Sequence, residues 1–292
     1  MQNGKQISSV QNALVKKILV LQEKSRERRK TGLFVLEGLR EVGLALKGGY
    51  IIRTVLFQDA IISSDAIGTL FKEAQGHPKE QDAKGSEIPV GPENPVVPEI
   101  IAISDAVYQK LAYRGTTEGV IALAESKGHG LEDIHLKSPD PLILVAEAPE
   151  KPGNIGALLR TADAAGLDAV IIANPKTDLY NPNVIRSSVG CLFTNQVATG
   201  STSEIIAYLK ERKIRCYCAA LTASQAYTEI DFRQASAIVV GTEATGLTSE
   251  WLKSSDQNIL IPMQGEIDSL NVSVSAAILI FEAKRQRGVQ SQ

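Results

Sequence analysis

Ile261-Pro-Met263-Gln-Gly265-Glu-Ile-Asp-Ser269-Leu270-Asn271-Val-Ser273-Val-Ser275-Ala276 is the stretch on which the reading of this chain turns. It grows out of a short apolar strand, QNILIPM, and runs into NVSVSAAILIFEAKRQR, whose apolar spacing predicts a long closing helix. Short polar residues at such a strand-to-helix junction cap the helix, and Gly turns the corner. In an open α/β sheet the same junction lies at the carboxyl edge, where ligands bind by default.

Two more clusters of this kind lie upstream. In Asn154-Ile-Gly156-Ala-Leu-Leu-Arg160, Pro152 and Gly153 break a strand, Asn154 suits the N-cap, and Arg160 is expected in the second helical turn. In Ile238-Val-Val-Gly241-Thr-Glu243-Ala-Thr-Gly246-Leu247, an apolar strand ends in two glycines around a carboxylate. The strands LILVAEA, DAVIIAN, IRCYCAAL and SAIVVGTE are near-continuous apolar runs, the pattern of parallel strands buried on both faces. They alternate with the helices NIGALLRTADAAG and SEIIAYLKER. A doubly wound α/β domain over residues 141–292 follows, with three loops bringing Gly, short polar residues, one Arg and one Glu to one sheet edge. Glycines there let a backbone approach an adenine-bearing cofactor closely.

Other chemistries are missing their signatures. There is no GxxxxGK[ST], no HExxH, no paired CxxC, and GTEATGL is not the dinucleotide GxGxxG, which counts against a nucleotide-dependent oxidoreductase. His77, His129 and His135 all fall in polar stretches away from the strand ends. Cys216 and Cys218 alternate along a predicted strand and are expected on opposite faces, as small buried apolar residues rather than ligands.

Ahead of residue 141 the organisation changes. SKGHGLEDIHLKSPD, residues 126–140, is polar and rich in breakers and reads as an interdomain linker. Residues 1–125 read as a small α/β domain. It opens with one amphipathic helix through LVKKILVLQEKSRERRK, with Leu14, Ile18 and Leu21 on one face. LFVLEG (strand), LREVGLALKGG (helix), IIRTVLFQ (strand), ISDAVYQKLAY (helix, Ser104 as N-cap) and TEGVIALAE (strand) follow. Residues 75–98 hold five of the 12 prolines and read as an extended surface loop.

Charge divides the same way. Residues 1–53 carry 11 Lys and Arg against 4 Asp and Glu, a net +7, while the remainder carries −9. The basic density, with Lys16, Lys17, Arg26, Arg28, Arg29 and Lys30, suits a polyanion-binding end; the competing reading is a solvated helix face. Overall, 43% apolar and 22% charged residues exclude a disordered, collagen-like or coiled-coil chain, and no apolar run is long enough to span a bilayer. With three cysteines in no paired framework and no secretory h-region at the N-terminus, a cytoplasmic protein is expected.

Taken in order, NxGxxxR, GxExxGL and IPMxGxxxSLNVSxxxA closely resemble the three motifs of the SpoU/TrmH family of RNA ribose 2′-O-methyltransferases, over about residues 140–287. Ser275 stands where many members have Ala. FVLEG…REV and TxxGVIAL resemble, more loosely, the ribosomal-protein-like substrate-binding domain often found ahead of that catalytic domain, with 75–98 as an insertion.

The resemblance implies a C-terminal parallel sheet with helices on both faces and a deep trefoil knot that binds S-adenosylmethionine. Knots are essentially absent from ordinary folds, so periodicity alone would not choose one. By motif position, Gly241, Gly246, Ile261 and Leu270 meet the cofactor, and Leu221 and Met263 line its adenine pocket. Arg160 matches the catalytic arginine, either as activating group with a substrate phosphate or as a clamp on that phosphate and the developing alkoxide. Asn154 and Asn271 hold the ribose or orient Arg160, and Glu243 and Ser269 fill the remaining polar positions. No metal is implied. A homodimer through the knot region is implied, with RNA as partner, rRNA (23S-type) ahead of tRNA; a catalytically idle RNA-binding module is the alternative.

Overall fold

Apolar runs become strands, and their pairing divides the chain into two units, Met1–Lys127 with Tyr180–Ile185, and Gly128–Leu179 with Arg186–Gln292. The computed structural model describes residues 5–75, 97–113, 118–222, 224–242, 245–266 and 269–288. Most of the expected Pro-rich loop, 75–98, lies outside the described residues.

The first unit contains, in order, β1 (Gln6–Ile7), α1 (Ala13–Glu23), α2 (Ser25–Thr31), β2 (Leu33–Glu37), α3 (Leu39–Lys47), β3 (Ile52–Phe57), α4 (Ser64–Gln75), β4 (Glu99–Ile103), α5 (Asp105–Leu111) and β5 (Val120–Glu125). Its sheet has the order β1-β4-β3-β5-β2, parallel among the first three, with β5 antiparallel to both β3 and β2. Val15, Ile18 and Leu21 of α1 and Val107, Tyr108 and Leu111 of α5 bury one face of that sheet. Each such aliphatic side chain contributes about 1.5–3 kcal/mol on burial. Ser104 caps α5 as expected, accepting from Val107 N. The sequence reading did not include β1, α4 or β4. It also missed that Tyr180 packs in this unit, 4.4 Å from Phe34 between ring centroids.

The single opening helix needs correction. Lys24 is extended (φ −110°, ψ 107°), so α1 stops and α2 begins beside it. Arg28, expected on a phosphate-binding face, is buried at 4% exposure. Its Nη1 donates to the carbonyls of Leu21 at 2.6 Å and Gln22 at 3.2 Å. A guanidinium has donors enough to satisfy carbonyls that a helix end leaves open, and it complements the negative end of the helix dipole. Lys16, Lys17, Arg26, Arg29 and Lys30 are exposed.

The second unit contains β6 (Leu142–Glu147), α6 (Pro152–Ala165), β7 (Ala169–Ala173), α7 (Pro182–Ser187, shared with the first unit), β8 (Val197–Gly200), α8 (Thr202–Glu211), β9 (Arg215–Ala219), β10 (Ser224–Ala226), β11 (Ser236–Val240), α9 (Ser249–Ser254), β12 (Gln257–Leu260) and α10 (Val272–Gln286). All pairings are parallel, in the order β10-β12-β9-β11-β6-β7-β8. Strands β6, β7 and β11 are buried along their whole length, as unbroken apolar runs require. Residues 128–140, expected as a linker, pack on this sheet. Ile134 is buried in its core, and His129 Nδ1 lies 2.8 Å from the Val197 carbonyl.

Two local readings change here. Helix α6 begins at Pro152 with Lys151 as N-cap, so Asn154 is inside the first turn and Arg160 in the third. Proline is tolerated at the first helical position because its missing N–H has no partner there anyway. Cys216 and Cys218 share one face of β9, with Sγ atoms 3.8 Å apart. Side chains two apart in a strand point the same way. Their mutual hydrogen bond and burial push the Cys216 thiol up, so it fills core as a neutral group.

Candidate active site

Strands β9, β11 and β12 are neighbours, and their carboxyl ends open into a cavity of about 540 Å³. Three loops and the first turns of α10 line it, contributing Leu221, Gly241, Gly246, Ile261, Met263, Ser269 and Leu270. Every residue expected to hold the cofactor is therefore at one place. Glu243 lies outside the described residues.

The β11–α9 loop is closed by its own backbone. Thr242 N donates to Gly246 O at 3.2 Å and Gly246 N to Thr242 O at 3.1 Å, with Gly246 at φ 66°. A Cβ on Gly241 would stand 2.3 Å from the Gly246 carbonyl carbon. Glycine at 241 is thus required by the approach of the loop to itself, beyond any ligand contact. The sequence reading missed Glu147, which anchors the far end of the loop. Buried at the end of β6, its carboxylate accepts from Thr248 N at 2.9 Å and from Thr248 Oγ1 at 3.1 Å. The signal was available: a single acid ends the otherwise apolar run LILVAEA.

The walls fit a nucleoside-bearing cofactor. Leu221 and Leu270 are 65% and 38% exposed although both face the cavity, leaving apolar surface for a flat base to cover. Hydroxyls of Thr222, Thr242, Ser269 and Ser275 also line it, a donor and acceptor set suited to ribose.

The first motif approaches from the side. Asn271 caps α10, its Oδ1 accepting from Ser273 N at 3.0 Å and Ser273 Oγ at 2.6 Å, while its Nδ2 donates to Asn154 Oδ1 at 3.2 Å. Helix α10 packs along α6. Asn154 and Arg160 lie about 120° apart around that helix, so Asn154 serves the junction with α10 and not the face that carries Arg160. Arg160 is exposed and is not among the cavity-lining residues. Gly156 is set by contact too: a Cβ there would meet Ser187 Oγ at 2.0 Å and the Ser187 carbonyl carbon at 2.5 Å.

Residues 141–281 match the family model described as the SpoU rRNA methylase family, and residues 12–122 match an MRM3-like substrate binding domain. A crystal structure of an RNA 2′-O ribose methyltransferase is 36% identical, covers 97% of this chain and 99% of its own, and superposes with a TM-score of 0.76. The chain belongs to the SpoU rRNA methylase family.

With membership come the enzyme class, RNA 2′-O-methyltransferase, and the methyl donor, S-adenosylmethionine. An AdoMet-bound rRNA methyltransferase from Sinorhizobium meliloti is 25% identical, with a TM-score of 0.81 over 96% of this chain and 97% of its own. The 23S rRNA (guanosine(2553)-2′-O)-methyltransferase RlmP of Bacillus subtilis (strain 168) is 29% identical over 96% of this chain and 99% of its length. Similarity to these relatives therefore extends over both units, while the motif residues all sit on the second.

Proposed function

We propose that this SpoU-family enzyme methylates a ribose 2′-hydroxyl of a structured 23S-type ribosomal RNA. The observation that carries the site assignment is the Asn271–Asn154 hydrogen bond, which joins the helix bearing Arg160 to the loop lining the cavity. Bound S-adenosylmethionine supplies a methyl group already activated by its sulfonium. Gly241, Gly246, Ile261 and Leu270 would hold the cofactor, largely through backbone, and Leu221 and Met263 would line its adenine pocket. What remains for the protein is to position the hydroxyl in line and manage its proton. Arg160 serves the positioning as a bidentate clamp on the neighbouring phosphate and a donor to the developing alkoxide, while the hydroxyl's proton passes to an oxygen of that substrate phosphate and on to solvent. A guanidinium is a planar fork of N–H donors with no acceptor site, which suits that role better than that of base.

We further assign a homodimer formed through α10. Val274 and Phe281, 47% and 49% exposed and seven positions apart, put apolar surface on one side of that helix. Because Arg160 does not line its own chain's cavity, the site is completed by residues of both subunits. Passage of the closing segment through the loops around the cavity, as a trefoil knot, fits four chain segments converging on it. Cys191, Cys216 and Cys218 form no disulfide among the described residues, which suits a reducing cytoplasm. The exposed cations Lys16, Lys17, Arg26, Arg29 and Lys30 supply sequence-independent phosphate contacts.

Incubating unmodified total RNA with labelled S-adenosylmethionine, then mapping the product, tests the assignment. Label at one 2′-O position of 23S rRNA is expected. Label confined to tRNA moves the substrate, and cofactor binding without transfer to any RNA makes the protein an idle binding module.

A further inference from the structure

One segment of the second unit, residues 187–195, has no part in the mechanism above, yet it follows α6 nearly from end to end. Ser187 Oγ donates to the Pro152 carbonyl at 3.0 Å, and the Ser187 backbone fills the space that a side chain at Gly156 would need. Farther along, Asn195 Nδ2 donates to the Leu159 carbonyl at 3.1 Å, and Thr194 Oγ1 to Asp163 Oδ1 at 2.6 Å. Positions 152, 156, 159 and 163 follow the i, i+4, i+7, i+11 spacing of a single helix face. The strap also holds strain at Val189, whose φ is 57°. A β-branched residue in the left-handed region is strained and persists only where its surroundings hold it.

Asn195 is the most informative of these contacts. Its Nδ2 also donates to the Cys191 carbonyl at 2.7 Å, so both neighbours are acceptors and the amide can face them in one orientation only. The Leu159 carbonyl belongs to the same planar peptide as the Arg160 nitrogen. Fixing that oxygen fixes the plane from which the Arg160 side chain departs. With α10 packed along the same helix, α6 is held by two neighbouring segments.

We propose that Asn195 is a positioning residue for Arg160, and that the strap 187–195 sets the direction of its guanidinium. The proposal rests on Arg160 being the catalytic arginine. Asn195 touches neither cofactor cavity nor reacting atoms; it acts through the helix backbone.

The test uses the full-length enzyme, labelled S-adenosylmethionine, and whichever RNA the mapping experiment identifies. Asn195→Asp keeps size and shape but has no donor to offer. Its kcat is expected to fall about 10-fold or more, since small misplacements of a reacting group are costly, with cofactor affinity unchanged within twofold. In an Arg160→Ala background the same substitution is expected to change the residual rate by less than twofold. A wild-type kcat in Asn195→Asp, with Arg160→Ala reduced to a small residual rate, overturns the inference and leaves the catalytic assignment standing. An additive loss in the double variant, or a loss of cofactor affinity, makes Asn195 merely structural and also overturns it. Full activity of Arg160→Ala removes the premise and the inference together. If Asn195→Asp fails to fold, Thr194→Val at the exposed end of the strap decides: kcat reduced about threefold at constant cofactor affinity supports the proposal, and unchanged kcat overturns it.

Discussion

Asn271 Nδ2 donates to Asn154 Oδ1 at 3.2 Å, a side-chain hydrogen bond between residues 117 positions apart. It ties the first turn of α6 to the cap of the closing helix, so one contact joins two motifs. Asn271→Ala removes both this bond and the α10 cap, and is expected to cost about 1–2 kcal/mol, the larger part from the cap. Asn154→Ala leaves the cap intact and is expected to cost less. In a double-mutant cycle followed by urea unfolding, a coupling of about 0.5–1.5 kcal/mol is expected. Strict additivity would mean the pair contributes nothing to holding the helices together.

Arg160 is exposed, and among the described residues nothing accepts a hydrogen bond from its guanidinium. Its fork is available for substrate. Arg160→Lys keeps the charge and loses the planar pair of donors, and methyl transfer is expected to fall about 100-fold or more. Cofactor binding by calorimetry and the melting temperature should stay at wild-type values. Near-normal turnover would remove this residue from the reaction.

Glycines 156 and 241 are held by sterics. A methyl at Gly241 would be driven into the Gly246 backbone, and one at Gly156 into Ser187. Backbone cannot swing aside as a flexible side chain can, so each Gly→Ala change is expected to destabilise by about 1–3 kcal/mol. Gly241→Ala should in addition weaken S-adenosylmethionine binding, because the loop it opens lines the cavity; Gly156→Ala should affect rate more than cofactor affinity. Thermal melts with and without cofactor separate the two.

The basic end of the chain divides into two kinds of cation. Neutralising Arg26, Arg29 and Lys30 together is expected to weaken RNA binding and to flatten its dependence on log salt by about three charges' worth, with stability unchanged. Arg28→Ala is expected to do the reverse. It should leave the salt slope alone and destabilise the first unit by about 1–3 kcal/mol, because two helix-end carbonyls lose a buried donor. Filter binding across a salt series, beside chemical denaturation, distinguishes them.

Acid stability carries a signature of the closing helix. Hydrogen bonds from Arg285 and then Gln286 hold the Glu282 carboxyl at about 2. Its folded value lies below the usual carboxylate range, so its contribution to stability is complete above that range and is lost as pH falls through about 2. Gln286 in turn donates to the Ile230 carbonyl at 2.9 Å and accepts from Phe232 N at 2.9 Å, so α10 loosens from its neighbour as the carboxylate is protonated. Unfolding free energy is expected to drop more steeply between pH 5 and pH 2 in wild type than in Glu282→Gln. Parallel curves would show that the carboxylate contributes nothing.

Much of the catalytic unit was legible because a strand buried on both faces must be apolar nearly throughout, as β6, β7 and β11 are apart from Glu147 and Ser236 at their ends. Local signals did less well wherever tertiary contacts outweighed them. Periodicity runs unbroken through Lys24, yet the helix breaks there because a buried Arg28 takes the carbonyls at its end. Asn154 has the chemistry of a cap, but Pro152 starts the helix earlier and leaves the asparagine to bind Asn271. Arg28 and Arg26 are alike in sequence and opposite in exposure.

By itself the amino-acid order determined the succession of strands and helices, the three motifs, and through them the family and its cofactor, because hydrophobic period and residue type are properties of short stretches. Only the folded chain decided that these motifs share one cavity edge, that Gly241 and Gly156 answer to neighbouring backbone, and that a strap from 187 to 195 grips the helix of Arg160. Those are contacts between segments distant in sequence. Their partners are selected by how sheets and helices pack, which no local pattern encodes.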